Sequence, residues 1–194
     1  MKDILPDGYD NRVIKVPADA LGRELGNALL RLPGPLLTQP TIGHIDGGIV
    51  LILIDCSGTM KQNNKLESVR DGALNFARDA MNKGMAVGII QFDTHVTEIC
   101  QPTRELGNIR ESLLKLDAGG ITNMAEAITL GHRRLQGYSC NRVMFIVTDG
   151  VPNGDDKDPK TTLAAAANAK RDGIIILALG TDDAPEAFLK ELQS

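Results

Sequence analysis

The sequence predicts an α/β domain built on a doubly wound, mostly parallel central sheet of five or six strands, with helices on both faces and one antiparallel edge strand. Strand-like and helix-like patterns alternate along most of the chain. Residues 49–54 are consecutive aliphatic residues, which is typical of a parallel strand covered by helices on both faces. With 194 residues, of which 42% are hydrophobic, the chain can bury one full core.

The first 45 residues are predicted to form an extension, followed by the main domain over residues 46–194. Within the extension, residues 13–16 indicate a short strand. Pro17 then opens a predicted helix that ends at the Pro-Gly-Pro sequence of residues 33–35. Its apolar residues recur at helical spacing: Leu21, Leu25, Ala28, Leu29 and Leu32. No residue type here points to chemistry, so we expect a packing appendage.

The first half of the main domain predicts a strand, a helix and then a hairpin. After the strand at 49–54, apolar residues at steps of three and four indicate an amphipathic helix over residues 66–80. A buried strand at 86–92 and a shorter one at 96–100 flank the turn at 93–95. Because such a short turn joins antiparallel strands, residues 96–100 are predicted to be the antiparallel edge of the sheet.

The second half repeats the alternation of helix and strand. A helix face over residues 106–116 is followed by a helix opened by Asn123, a predicted N-cap with Glu126 three residues on. A strand at 143–147, a helix at 158–172, a strand at 173–179 and a last helix opened near Pro185 complete the pattern.

Composition excludes several classes of function. The net charge of −4, the pI near 5.4 and the absence of Trp argue against a nucleic-acid-binding protein. No aliphatic run is long enough to span a membrane, and the N-terminus has no apolar signal segment, so we expect a cytoplasmic protein. The three cysteines, at 56, 100 and 140, lack metal-ligand spacing and predict buried free thiols.

Five side-chain oxygens are expected to converge at one edge of the sheet. Asp55 and Asp149 each follow a predicted strand, and ligands of open α/β sheets bind off the carboxyl ends of strands where the strand order reverses. Ser57 and Thr59 alternate with Asp55, while Thr122 follows a double glycine at the start of a helix. Oxygen donors of this kind are suited to Mg²⁺.

Three short motifs, at residues 55–59, 120–122 and 148–150, together resemble the von Willebrand factor A domain and its metal-ion-dependent adhesion site. The family pattern Asp-x-Ser-x-Ser is matched over residues 55–59 with Thr59 in the last place, and Thr122 and Asp149 match its later Thr and Asp. The resemblance covers residues 46–192. It implies that Ser57, Thr59 and Thr122 bind Mg²⁺, or Mn²⁺ as a substitute, directly, with Asp55 and Asp149 acting through waters.

The resemblance also implies a function. The open metal position would accept a Glu or Asp of a partner protein, in a non-enzymatic adaptor that works inside the cell, including alongside AAA+ ATPases in larger assemblies. One departure is that family members carry a further strand after the helix that here ends near Ser194. Either the chain stops before this strand, or residues 13–16 cover that edge of the sheet.

A phosphatase of the haloacid dehalogenase type is the alternative from another functional class. Its Asp-x-Asp-Gly-Thr motif would make Asp55 the nucleophile, with Thr148 as the strand-end hydroxyl. Ser57 stands where that motif has its second Asp, and a serine cannot serve as general acid near neutral pH. The pattern also leaves Thr122 unexplained. Thr148 is interpreted as a structural residue rather than a ligand.

Overall fold

A computed structural model of the chain describes residues 14–17, 20, 47–152, 159–181 and 184–194. These residues form a six-stranded sheet in the order β1-β6-β5-β2-β3-β4. The strands are β1 (Ile14–Val16), β2 (Ile49–Asp55), β3 (Ala86–Phe92), β4 (Val96–Thr103), β5 (Arg142–Thr148) and β6 (Ile175–Thr181). A 3₁₀ segment (Gly58–Asn64) precedes the helices α1 (Lys65–Asn82), α2 (Leu106–Leu114), α3 (Met124–Leu135), α4 (Pro159–Arg171) and α5 (Glu186–Leu192). The predicted doubly wound fold is confirmed.

The direction of chain progression reverses on either side of β2. From β2 the chain moves outward through β3 and β4, whereas β5 returns to the other side of β2 and leads on to β6. Both neighbours of β2 are parallel to it, and Ile54 pairs with Val147 near the end of β5. The carboxyl ends of β2 and β5 therefore lie side by side at the reversal of strand order, where the sequence predicts the site.

The hairpin between β3 and β4 makes β4 the antiparallel edge strand, as predicted. Register shifts lie between the pairs Val87/Thr103 and Ile90/Glu98. Irregularities of this kind bend an edge strand and increase its local twist. The strand also continues past the predicted end at Cys100, to Thr103.

The opposite edge is formed by β1, from the N-terminal part of the chain. Ile14 pairs with Leu179 and Val16 with Thr181, parallel to β6. Of the two alternatives for this edge, the structure therefore shows the second, in which the N-terminal segment covers it. The helix predicted to begin at Pro17 lies almost entirely outside the described residues.

Two apolar layers cover the sheet because successive residues of β2 point to opposite faces. One layer joins Val50, Ile52 and Ile54 to α1 and α2. It includes Phe76 and Phe145, whose rings lie 5.0 Å apart. The other layer joins Ile49, Leu51 and Leu53 to α3, α4 and α5. All seven residues of β2 are buried; the apolar run at 49–54 predicts this for six of them, and Asp55 is the seventh.

No helix in the described ranges combines the length and apolar character needed to cross a bilayer. The cysteines are all free thiols. Cys56 and Cys100 are buried, and Cys140 is only partly so.

Candidate metal-binding site

Three loops carry the predicted site residues: the loop after β2, the loop before α3 and the loop after β5. They meet at the carboxyl ends of β2 and β5. The loop after β2 is joined to the loop before α3 by two backbone hydrogen bonds: Gly119 N–H donates to the Cys56 carbonyl at 2.7 Å, and Gly58 N–H donates to the Gly120 carbonyl at 3.2 Å. Two residues beyond Gly120, Thr122 is buried. These bonds hold the loop that carries Thr122 against the loop that carries Ser57 and Thr59.

Gly120 is a conformational requirement of this arrangement. Its φ is +68°, a left-handed value that residues with a Cβ rarely adopt. A Cβ atom at this position would also collide with the Thr94 hydroxyl, which accepts a hydrogen bond from Ile121 N–H. Asn123 occupies the predicted N-cap position of α3, but its side chain caps no backbone N–H; its amide donates to Glu126 at 2.7 Å.

Asp55 is completely buried, and both of its carboxylate oxygens accept hydrogen bonds. Oδ1 accepts from Ser57 N–H at 2.9 Å, and Oδ2 accepts from the Thr148 hydroxyl at 2.7 Å. Burial raises the pKa of Asp55 to about 6, against the opposing effect of the hydrogen bonds from Thr148 and Ser57. Asp149 adds to this rise in pKa by charge repulsion. Thr148 therefore has the structural role predicted for it.

Ser57, Thr59 and Asp149 form one continuous chain of side-chain contacts. The Ser57 and Thr59 hydroxyl oxygens lie 3.1 Å apart, and the Thr59 hydroxyl donates to Asp149 Oδ1 at 2.9 Å. Ser57 and Asp149 are buried, whereas Thr59 is exposed. Solvent therefore reaches this chain of oxygens at its middle residue, Thr59.

Lys65 is a residue of this site that the sequence analysis missed. Its ammonium donates to Asp149 Oδ2 at 2.7 Å, and only 3% of either side chain is exposed. Lys65 is the first residue of α1 and lies four residues before the buried Val69, on the helix face that packs against the sheet. This spacing is a sequence signal for the buried face of the helix, but the partner of Lys65 is visible only in the tertiary structure.

The structure thus brings the predicted residues together to different degrees. Ser57, Thr59 and Asp149 are in direct contact, Asp55 is tied to Ser57 through the backbone, and Thr122 lies on the adjoining loop. Within the described part of the chain, no group of three or more His, Cys, Asp or Glu residues is placed to hold a metal. A metal here would depend on hydroxyl oxygens as well as the two carboxylates.

The chain is similar in sequence to proteins of one family. The family model described as the von Willebrand factor type A domain matches residues 50–151. An uncharacterized protein of Mycobacterium tuberculosis is 25% identical over 128 residues, which are 62% of this chain and 20% of that protein. The chain therefore spans about one fifth of the length of this relative.

Solved structures share the fold at low sequence identity. A von Willebrand factor type A protein from Catenulispora acidiphila aligns with a TM-score of 0.65 and 16% identity, over 75% of this chain and 36% of that one. The manganese-loaded TRAP protein of Plasmodium vivax aligns with a TM-score of 0.62 and 16% identity, over 74% of this chain and 61% of that one.

Proposed function

This chain belongs to the von Willebrand factor type A domain family, and we propose that it is a non-enzymatic protein-binding module that captures an acidic side chain of a partner through one bound divalent cation. The cation is Mg²⁺ by preference, with Mn²⁺ as a substitute. The observation that carries this proposal is the chain of oxygens formed by Ser57, Thr59 and Asp149.

The spacing and chemistry of these oxygens fit a small, hard cation. Neighbouring oxygens in an octahedral Mg²⁺ shell, with metal–oxygen distances of about 2.0–2.1 Å, lie roughly 2.9 Å apart. The hydroxyl oxygens of Ser57 and Thr59, two of the proposed direct ligands, lie 3.1 Å apart. Hydroxyl and carboxylate oxygens are also the donors that Mg²⁺ and Mn²⁺ prefer.

Each of the five residues has a role in this proposal. Ser57, Thr59 and Thr122 would hold the cation directly, and Asp55 and Asp149 would act through water. For Asp55 this role agrees with the structure, because both of its oxygens already accept hydrogen bonds from the protein. The bound cation would supply an electrophilic open position for an incoming carboxylate.

The exposure of the outer residues supports access by a partner. Gly58 and Thr59 are exposed, while Ser57 beside them is buried. A partner carboxylate arriving over Thr59 would meet the cation in a partly desolvated place, where opposite charges attract more strongly than in bulk water. The manganese in the Plasmodium vivax relative is consistent with such a site in this fold.

We further propose that the module works inside the cell as an adaptor in a larger assembly, of which an AAA+ ATPase is one candidate component. The phosphatase alternative has no supporting observation. A nucleophilic Asp55 would need an accessible oxygen, yet its side chain has no exposed surface and both oxygens are engaged.

Capture of partners from host lysate in Mg²⁺ and in EDTA tests the proposal. Proteins retained by the wild-type chain in Mg²⁺ should be lost in EDTA and lost with Ser57→Ala. Thr161→Ala removes an exposed hydroxyl on α4 and should retain the same proteins.

Once a partner is identified, replacing its contacting Glu by Gln should weaken binding in Mg²⁺ and change it little in EDTA. Equal binding with and without metal would contradict the proposal. Hydrolysis of an aryl phosphate that depends on Asp55 would favour the phosphatase.

A further inference from the structure

Lys65 is an ion-paired lysine buried inside the candidate metal site. Lysine is almost never buried to this extent unless it is paired, because removing an ammonium from water is costly. Here the compensation comes from Asp149, whose Oδ2 lies 2.7 Å from Nζ, with 3% of each side chain exposed. The other oxygen of this carboxylate, Oδ1, accepts a hydrogen bond from the Thr59 hydroxyl. Lys65 therefore contacts one of the five predicted site residues, Asp149, and is linked through it to Thr59.

The local backbone places this lysine where its own helix does not favour a cation. Lys65 opens α1, and the N-terminus of a helix carries partial positive charge. It is preceded by Asn63 and Asn64, with φ values of 53° and 55°, in the left-handed region that Asn tolerates better than most residues. The partial positive charge of the helix end repels the ammonium, and the attraction of Asp149 opposes this repulsion.

The net charge of the candidate metal site depends on Lys65. The two carboxylates Asp55 and Asp149, when ionised, carry two negative charges, of which the ammonium compensates one. A divalent cation held near Asp149 would stand close to the ammonium, and like charges at such a distance repel strongly when water is excluded. The lysine and the metal would therefore compete for the same carboxylate.

We propose that Lys65 is a resident counter-cation that competes with the divalent metal for Asp149, and so sets the metal concentration at which the site fills. This inference rests on the proposed metal-binding function. When metal is scarce, the ammonium takes over neutralisation of Asp149, so that the loops stay in place. Metal then controls the capture of the partner without controlling the fold.

Titration with Mn²⁺ by calorimetry, on wild type, Lys65→Gln and Lys61→Gln, tests this inference. Lys65→Gln removes the charge but keeps an amide that can donate to Asp149. Lys61→Gln removes the same charge from an exposed position four residues earlier. We expect Lys65→Gln to bind Mn²⁺ at least tenfold more tightly than wild type, and Lys61→Gln to bind within twofold of wild type.

The outcomes separate this inference from the function on which it rests. If wild type binds Mn²⁺ and folded Lys65→Gln binds it no more tightly, the inference is overturned and metal binding stands. If only Lys65→Gln binds, the inference is supported and metal binding by the wild-type protein is contradicted. If no variant binds, both are overturned.

A second measurement needs no substitution at Lys65. In wild-type protein labelled with ¹⁵N-lysine, a buried and paired ammonium should give a protected Nζ resonance in EDTA. Addition of Mg²⁺ should shift this resonance or increase its exchange with water. A resonance that stays unchanged while calorimetry shows Mg²⁺ binding would overturn the inference, even if Lys65→Gln fails to fold.

Discussion

The hydroxyl of Thr148 donates a 2.7 Å hydrogen bond to Oδ2 of Asp55, and so joins two strand ends that are 93 residues apart in the sequence. The two residues lie side by side because β2 and β5 are parallel neighbours. The other oxygen of Asp55 accepts from Ser57 N–H. The carboxylate is thus fixed in orientation beside the loop that carries the candidate ligands.

We expect Thr148→Val to lower the free energy of unfolding by about 1–3 kcal/mol, because it leaves a buried carboxylate oxygen without its donor. Urea unfolding in EDTA measures this change. Thr181→Val is the matched control. Thr181 is the buried last residue of β6, and its hydroxyl has no hydrogen-bond partner among the described residues. Its replacement should be neutral or slightly stabilising. Equal losses in both variants would contradict the importance of the Thr148–Asp55 bond.

Gly120→Ala should weaken Mn²⁺ binding at least tenfold. The added Cβ would be strained at a φ of +68° and would collide with Thr94, which would displace the loop that carries Thr122. Gly119→Ala is the control, since a Cβ there has no heavy atom within 4 Å. Calorimetry on both variants checks this prediction, and similar binding by the two would show that the loop position does not matter.

The three thiols should react slowly with Ellman's reagent in the native protein at pH 8. Burial raises the pKa of Cys56, Cys100 and Cys140, which lowers the fraction of the reactive thiolate. Cys56, with no exposed surface, should be the slowest, and all three should react quickly in denaturant. Rapid modification of Cys56 in the native state, mapped by mass spectrometry, would contradict the burial described here.

Mg²⁺ and Mn²⁺ should bind more tightly than Ca²⁺. Calcium requires six to eight oxygens at 2.3–2.6 Å. The candidate site offers three hydroxyl groups as direct ligands, and two of their oxygens lie only 3.1 Å apart. Competition of each ion against bound Mn²⁺, followed by electron paramagnetic resonance, gives the order of affinity. Tighter binding of Ca²⁺ would indicate a larger set of ligands than the five residues predicted.

Sequence patterns were sufficient to predict the strands and to place Asp55 and Asp149 at the carboxyl ends of strands that the structure shows to be neighbours. An unbroken apolar strand is buried on both faces, and its carboxyl end has few possible positions once the sheet is doubly wound. The contact between Ser57, Thr59 and Asp149 follows from the same geometry. These features depend on periodicity and chain order, which are visible in one sequence.

The burial of Lys65 and the pairing of β1 with β6 could not be predicted from sequence patterns. A lysine at the start of an amphipathic helix is usually solvated, and the ion pair that Lys65 makes with Asp149 depends on the tertiary fold. The short strand at Ile14–Val16 was predicted, but its pairing with β6 depends on contacts more than 160 residues apart. Such pairings have no local signal in the sequence.

The most direct test of a divalent-cation site is calorimetric titration of Mn²⁺ into the wild-type chain and into the Ser57→Ala/Thr59→Ala double variant. The wild type should bind one ion, and the double variant should bind at least tenfold more weakly while keeping its circular dichroism spectrum. Unchanged affinity in the folded double variant, or no binding by the wild type, would contradict a metal site at these residues.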